Sequence, residues 1–268
     1  MDDKLTLPTE DTVPEFDTIE SLRTLLVFGP PKGGKTSFGA QFERSLLLDC
    51  EDNGAKYVRC RKLDIKGLEG LRDAYMALRE DKEYSTVVID TLDAVAHWIE
   101  AEICKEMGLR SILDSKKGEK HGSQWGAYVN RVLGFLEAWK SLGKRVIFLA
   151  HTKKAEITGD GLVINPKTIA LYGQAAQRVL GTVDNIGHLF AREGGEGTKR
   201  MLSFRPGEHV EAGARHPKLA NQLIELPEGK MYQAFSALFN GGKIWPESAP
   251  KAAAKPAEKI KTKKKGGK

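Results

Sequence analysis

From Leu22 onward the chain alternates short apolar runs with amphipathic stretches. "TLLVF" (24–28), "SLLLDC" (45–50), "STVVIDT" (85–91) and "KRVIFLAHT" (144–152) are runs of branched and aromatic residues of strand length. The segments between them have helical spacing. Lys35 to Arg44 predicts a helix opening out of a glycine-rich turn, and Gly67 to Asp81 sets Leu68, Leu71, Tyr75 and Leu78 on one helical face. "LDAVAHWIEAEICKEM" (92–107) predicts another helix, and "WGAYVNRVLGFLEAWKSLG" (125–143) a longer one ending at Gly143. Strands alternating with helices predict an α/β fold: a mostly parallel central sheet with helices on both faces.

Beyond Thr152 the pattern changes. "KKAEITGDGLVINPKTIA" (153–170) is polar and glycine-bearing and predicts a hairpin or a mobile loop. "GQAAQRVLGTVDNIGHLFAREG" (173–194), "KRMLSFRPG" (199–207) and "NQLIELPEG" (221–229) predict short strands with turns that extend the sheet. No internal repeat is present. The organisation expected is an acidic leader over 1–20, one folded domain over 21–245, and a disordered lysine-rich tail over 246–268.

Charge supports that division. The chain of 268 residues carries +6, but its first twenty residues hold −6 and its last eighteen +7, leaving a folded part of +5. A basic body helps to attract a polyanion, and the tail either grips phosphates or only keeps the chain in solution. No apolar run long enough for a membrane span or a signal core is present, which implies a soluble, cytoplasmic protein with no membrane partner. The three cysteines, Cys50, Cys60 and Cys104, lack the spacing of a zinc site or a disulfide framework.

The strongest chemical signal is "GPPKGGKT", in which Gly29, Gly34, Lys35 and Thr36 fit the phosphate-loop pattern G-x-x-x-x-G-K-[ST]. Such a loop points backbone N–H groups at phosphates, so Gly29, Pro30, Pro31, Lys32, Gly33, Gly34, Lys35, Thr36 and Ser37 form the expected ATP site. Lys35 is expected on the β and γ phosphates and Thr36 on Mg²⁺. Asp90, the acid ending "TVVID", is the expected second Mg²⁺ residue, in the Walker B position. Hydrolysis also needs a group to orient or deprotonate water. Thr91 occupies the place directly after Asp90, so that carboxylate must come from elsewhere. Glu51, in "SLLLDCEDNG", is the best candidate, with Asp49 and Asp52 as alternatives.

The order of glycine loop, acid-terminated strand with Glu51, Asp90, and a strand ending in a polar residue resembles the RecA family. In particular it is similar to the small phage-encoded annealing and recombination ATPases of the Sak type, over about Leu22 to Pro227. The resemblance implies a RecA-like fold, Glu51 and Lys35 as catalytic residues, and a γ-phosphate sensor at His151, where relatives commonly carry an amide. A histidine that merely satisfies a backbone carbonyl is the plainer reading. The resemblance also implies two loops that bind single-stranded DNA, here offering Lys105, Arg110, Lys116, Lys117, Lys120, Lys153, Lys154 and Lys167; ordinary solvated lysines are the alternative. It implies a homo-oligomer, ring or filament, with ATP between subunits and a basic residue reaching across from the neighbour. Arg205, Arg215 and Lys218 are the candidates for that residue.

Three classes of function follow: a DNA recombination or single-strand annealing ATPase, a P-loop kinase of a small molecule, and a helicase-loader or packaging accessory. The tail is open to DNA or to a single-strand-binding protein as partner, and a phage-encoded protein would work in the host cytoplasm.

Overall fold

The computed structural model describes residues 18–52, 54–114, 123–154, 156–157, 163–165, 167–194 and 197–240. Its elements in order are β1 (Thr24–Gly29), α1 (Lys35–Ala40), β2 (Ser45–Asp49), β3 (Lys62–Asp64), α2 (Gly67–Glu80), β4 (Thr86–Asp90), α3 (Leu92–Met107), α4 (Ser123–Lys140) and β5 (Arg145–Lys153). There follow β6 (Glu156–Ile157), β7 (Val163–Asn165), β8 (Thr168–Ile169), α5 (Gly173–Thr182), β9 (Asn185–Gly194), β10 (Gly197–Ser203), β11 (Gly213–Ala214), β12 (Leu223–Glu225) and α6 (Met231–Ser236).

The main sheet has ten strands, with the order β12-β10-β9-β1-β5-β4-β2-β3 along its path. All neighbours from β9 to β3 are parallel, and β10 and β12 extend the sheet antiparallel, so the α/β class and the C-terminal extension are as expected. Successive side chains of each inner strand face opposite layers. Leu26 and Phe28 of β1, Val87 and Ile89 of β4, and Val146 and Phe148 of β5 pack under α2, α3, α4 and α5. Leu25, Val27, Val88, Ile147 and Leu149 pack under α1 and α6. Burial on both faces is why these strands read as continuous apolar runs. The second layer closes on Phe38 of α1, whose ring meets Phe42 and Phe235 edge-on with centroids 5.2 and 5.4 Å away. A fully buried phenylalanine of this kind contributes about 2–3 kcal/mol by burial.

Several elements depart from the sequence expectation. The helix after the glycine loop stops at Ala40 rather than Arg44; residues 41–44 turn instead, with Arg44 at a left-handed φ of 49°, and lead the chain into β2. Residues 173–182 form α5 where short strands and turns are expected: Ala175, Ala176 and Val179 have helical spacing and are buried, and the flanking glycines imitate turn signals. The edge strand β3 has no apolar run because it carries Lys62 and Asp64, charges of the sort that blunt a sheet edge. Within 153–170 the hairpin is what forms, β6 pairing antiparallel with β7.

Cys50 and Cys104 are buried and Cys60 partly so, all as free thiols. Among the described residues no helix is long and apolar enough to cross a membrane. The leader up to residue 17, the tail from 246, and Lys116, Lys117 and Lys120 lie outside the described residues.

Candidate nucleotide site

The site sits where β1, β5, β4 and β2 all end on the same edge of the parallel sheet. β1 ends at Gly29, which must lack a side chain: a methyl group there would lie 2.4 Å from the Leu189 carbonyl oxygen of β9. The loop then turns through Lys32 at φ 62° and Gly34 at φ 99°, the second a conformation suited to glycine.

Lys35 is 5% exposed and donates through Nζ to the carbonyls of Gly29 at 3.1 Å and Pro30 at 3.0 Å. Burial lowers its pKa, and the negative charges of Asp90, Asp93 and Glu51 oppose that shift without touching it. An ammonium buried against carbonyls alone is poorly compensated, so the loop is built to receive an anion.

Thr36 donates its hydroxyl to Asp90 Oδ2 at 2.7 Å, joining the loop to the end of β4. Asp90 is 2% exposed, and burial raises its pKa to about 6. A hydroxyl and a desolvated carboxyl side by side are an oxygen donor set suited to Mg²⁺, whose charge would favour the ionised form of Asp90 and offset its burial. Thr36 and Asp90 thus fit the ion expected at them, which when bound would neutralise phosphate charge.

The three acids at and just after the end of β2 separate cleanly. Asp49 is buried in the turn itself, accepting from the backbone N–H of Ala55 at 3.0 Å and of Glu51 at 3.3 Å. Asp52 is exposed. Glu51, presented by the turn that Asp49 organises, reaches over β4 and accepts the Thr91 hydroxyl at 2.9 Å. Thr91 is also the N-cap of α3, its oxygen accepting from Ala94 N at 3.4 Å. The residue that displaces a carboxylate from the position after Asp90 therefore holds the carboxylate arriving from the next strand.

His151, at the end of β5, faces the same place. Its Nδ1 lies 3.5 Å from Glu51 Oε1 and 2.7 Å from Asp93 Oδ2, while its backbone N–H donates to Asp93 Oδ1 at 2.8 Å. The backbone-carbonyl reading of His151 gives way to a carboxylate clamp on both its ring and its main chain. Asp93 was absent from the sequence-derived site; its only signal is an acid in the first turn of a helix, which ordinary helix-end electrostatics already explains.

The hydrogen bond that His151 donates to Asp93, with the charge of that carboxylate, raises the pKa of His151 above the ordinary 6.5 despite partial burial. Burial pushes the Asp93 carboxyl upward, but the bonds from His151 outweigh it and hold it below the ordinary 3.8. The sign of the linkage follows from both: the pair's stabilisation is complete between about pH 4 and 6.5, and it is lost below as Asp93 protonates and above as pH rises through the raised His151 value. Asp93→Asn is expected to lower the His151 pKa in an NMR titration and to flatten the alkaline loss of stability. An unchanged titration would show that the clamp is not its source.

The remaining expected residues are more scattered. Lys105 and Arg110 are exposed at and just beyond the end of α3, and Lys153, Lys154 and Lys167 are exposed around the β5–β8 pairing. Arg205 and Arg215 are at the surface, Arg205 donating to the Asn221 carbonyl and Arg215 paired with Asp184. Lys218 is corrected: it is 1% exposed and its ammonium donates to the Phe239 carbonyl at 3.1 Å, so it is a core residue of its own chain and cannot reach a neighbour.

A loop of this sequence, joining a strand to a helix and linked by Thr36 to an acid two strands away, defines a P-loop nucleotide-binding domain. A family model described as an AAA domain matches residues 22–216, and the chain belongs to that family, which is of the P-loop ATPase type and generally uses ATP with Mg²⁺. No curated protein matches the chain.

Proposed function

We propose that the chain is a RecA-like ATPase, of the Sak-type recombination and single-strand annealing class, that hydrolyses ATP while gripping single-stranded DNA as a homo-oligomer. The observation that carries this reading is the seat of Glu51: a carboxylate from the turn after β2, the strand beside β4, is held at the ends of β4 and β5 by Thr91 and His151. In this reading Glu51 takes the proton of the attacking water, Lys35 balances the phosphate charge, and His151, beside Glu51 on the same flank, reads the terminal phosphate. Arg205 or Arg215 of a neighbouring subunit completes the site.

The DNA half of the proposal has its own support. Trp125, near the start of α4, and Tyr172, at the N-cap of α5, stand at the roots of the two candidate DNA loops, with ring centroids 5.3 Å apart. Tyr128 joins them at 5.8 Å from Tyr172. Tyr172 is 40% exposed, and it lines a groove of about 410 Å³ together with Tyr128, Lys153, Asp93 and Glu100. In this reading Tyr172, exposed beside Lys153 at the base of the loops and backed by the buried Tyr128, offers a stacking face that the loops themselves lack.

The test is ATP turnover with and without a single-stranded oligonucleotide, run alongside fluorescence anisotropy of the labelled oligonucleotide over a range of salt. Stimulated turnover is expected, together with binding that weakens steeply as salt rises, by a slope of about −0.7 for each phosphate neutralised. Turnover indifferent to DNA would contradict the recombination reading, as would phosphorylation of an added nucleoside, the outcome a small-molecule kinase would give.

A further inference from the structure

The arginine that lies on the phosphate loop is not one of those considered for the subunit interface. Arg200 belongs to β10 and is fixed there on its main chain by pairing with Ala191 of β9 and by accepting from Leu226 N at 2.8 Å. Its side chain extends over Gly34: a methyl group built on that glycine would lie 3.1 Å from Arg200 Nε and 3.2 Å from its Cδ. The guanidinium has one ion-pair partner among the described residues, Glu228, at 3.6 Å from Nη1. That carboxylate is 89% exposed in its side chain, whereas Arg200 is 34% exposed, so the pair is of the loose surface kind that contributes little.

The side from which Arg200 arrives gives it a separate task. In the sheet, β9 and β10 lie on one flank of β1, and β5, β4 and β2 on the other. Asp90, Glu51 and His151 all belong to the second flank, where Thr36 meets Asp90 and the terminal phosphate and its ion are expected. A group reaching Gly34 from the first flank meets the phosphate chain away from that end. Arginine suits the position because its planar fork can bond two phosphate oxygens at once and keeps its charge when partly buried.

We infer that Arg200 is a nucleotide-binding residue acting within its own subunit, its guanidinium bonding the α and β phosphates of the nucleotide held by the loop. The inference rests on the reading of that loop as a nucleotide site. Lacking a role at the terminal phosphate, Arg200 contributes to affinity for ATP and ADP alike and leaves the chemical step to the opposite flank.

Calorimetric titration of the full chain with ATP and with ADP, both with Mg²⁺, tests it on the wild type, Arg200→Ala, Arg200→Gln, Arg200→Lys and, as a loop control, Lys35→Ala. Loss of a charge-assisted phosphate contact should weaken both nucleotides about 10- to 100-fold in the alanine and glutamine variants, with part recovered by lysine. The same loss should appear as a raised KM in ATP turnover. The glutamine and lysine variants keep the stem that packs on the loop, so they decide the matter if the alanine variant melts early. If the wild type binds and Lys35→Ala does not, yet the Arg200 variants bind ADP as tightly as the wild type, this inference fails and the nucleotide site stands. Weakened ATP with unchanged ADP would move Arg200 to the terminal phosphate and overturn the assignment; no binding by the wild type would overturn the site itself.

Discussion

Glu51→Gln is expected to bind ATP within about threefold of the wild type while its turnover number falls by about 10²- to 10⁴-fold, the range associated with loss of a positioned general base. Glutamine keeps the length of the side chain and an oxygen that can still accept the Thr91 hydroxyl, so the turn built by Asp49 and the cap on α3 should persist. What it lacks is the capacity to take a proton from water. Single-turnover measurement of phosphate release, with calorimetric affinity beside it, separates the two effects. Turnover at the wild-type rate would remove Glu51 from the chemistry and, with it, the main support for a RecA-like mechanism.

Lys35→Ala is expected to lose ATP binding by about 100-fold or more, because one ammonium is the buried positive charge of the loop and each charge-assisted contact to phosphate contributes about 1.5–3 kcal/mol. Misfolding can be told apart from this loss. Lys35 is buried against the Gly29 and Pro30 carbonyls with its pKa lowered by burial, so the ligand-free fold gains little from it. The ligand-free variant should melt within a few degrees of the wild type and lose the stabilisation that ATP gives to the wild type by mass action. An ATP-dependent rise in melting temperature that survives in Lys35→Ala would place the nucleotide elsewhere.

What could be read from the sequence divides along physical lines. The strands β1, β2, β4 and β5 are buried on both faces, so their apolar runs are unbroken, and the helices α2, α3 and α4 each bury a stripe with the right period. The phosphate loop was legible because its chemistry lies in consecutive residues. Glu51 came from elimination: Thr91 occupies one place a carboxylate could stand, and β2 offers the next. Asp93 and Arg200 were not legible, for the same reason. Each acts through a contact between elements far apart in sequence, Asp93 with His151 and Arg200 with Gly34, and neither has a local signature beyond an acid opening a helix or a cation in a strand. Helix α5 is hidden in the sequence because two glycines outweigh a short stretch of buried alanines, and the burial of Lys218 is hidden because a lysine in a polar stretch is ordinarily at the surface.

The central claim is that a carboxylate from β2 works on the terminal phosphate held by the loop from β1. The most direct measurement is a crystal structure of the chain with ADP, Mg²⁺ and aluminium fluoride in place of the transferred phosphoryl group. The account predicts an ordered water between the Glu51 carboxylate and the aluminium, about 3 Å from the carboxylate as a proton-abstracting contact requires, with the Thr91 bond retained. A Glu51 side chain turned to solvent, with that water held by another group, would contradict it.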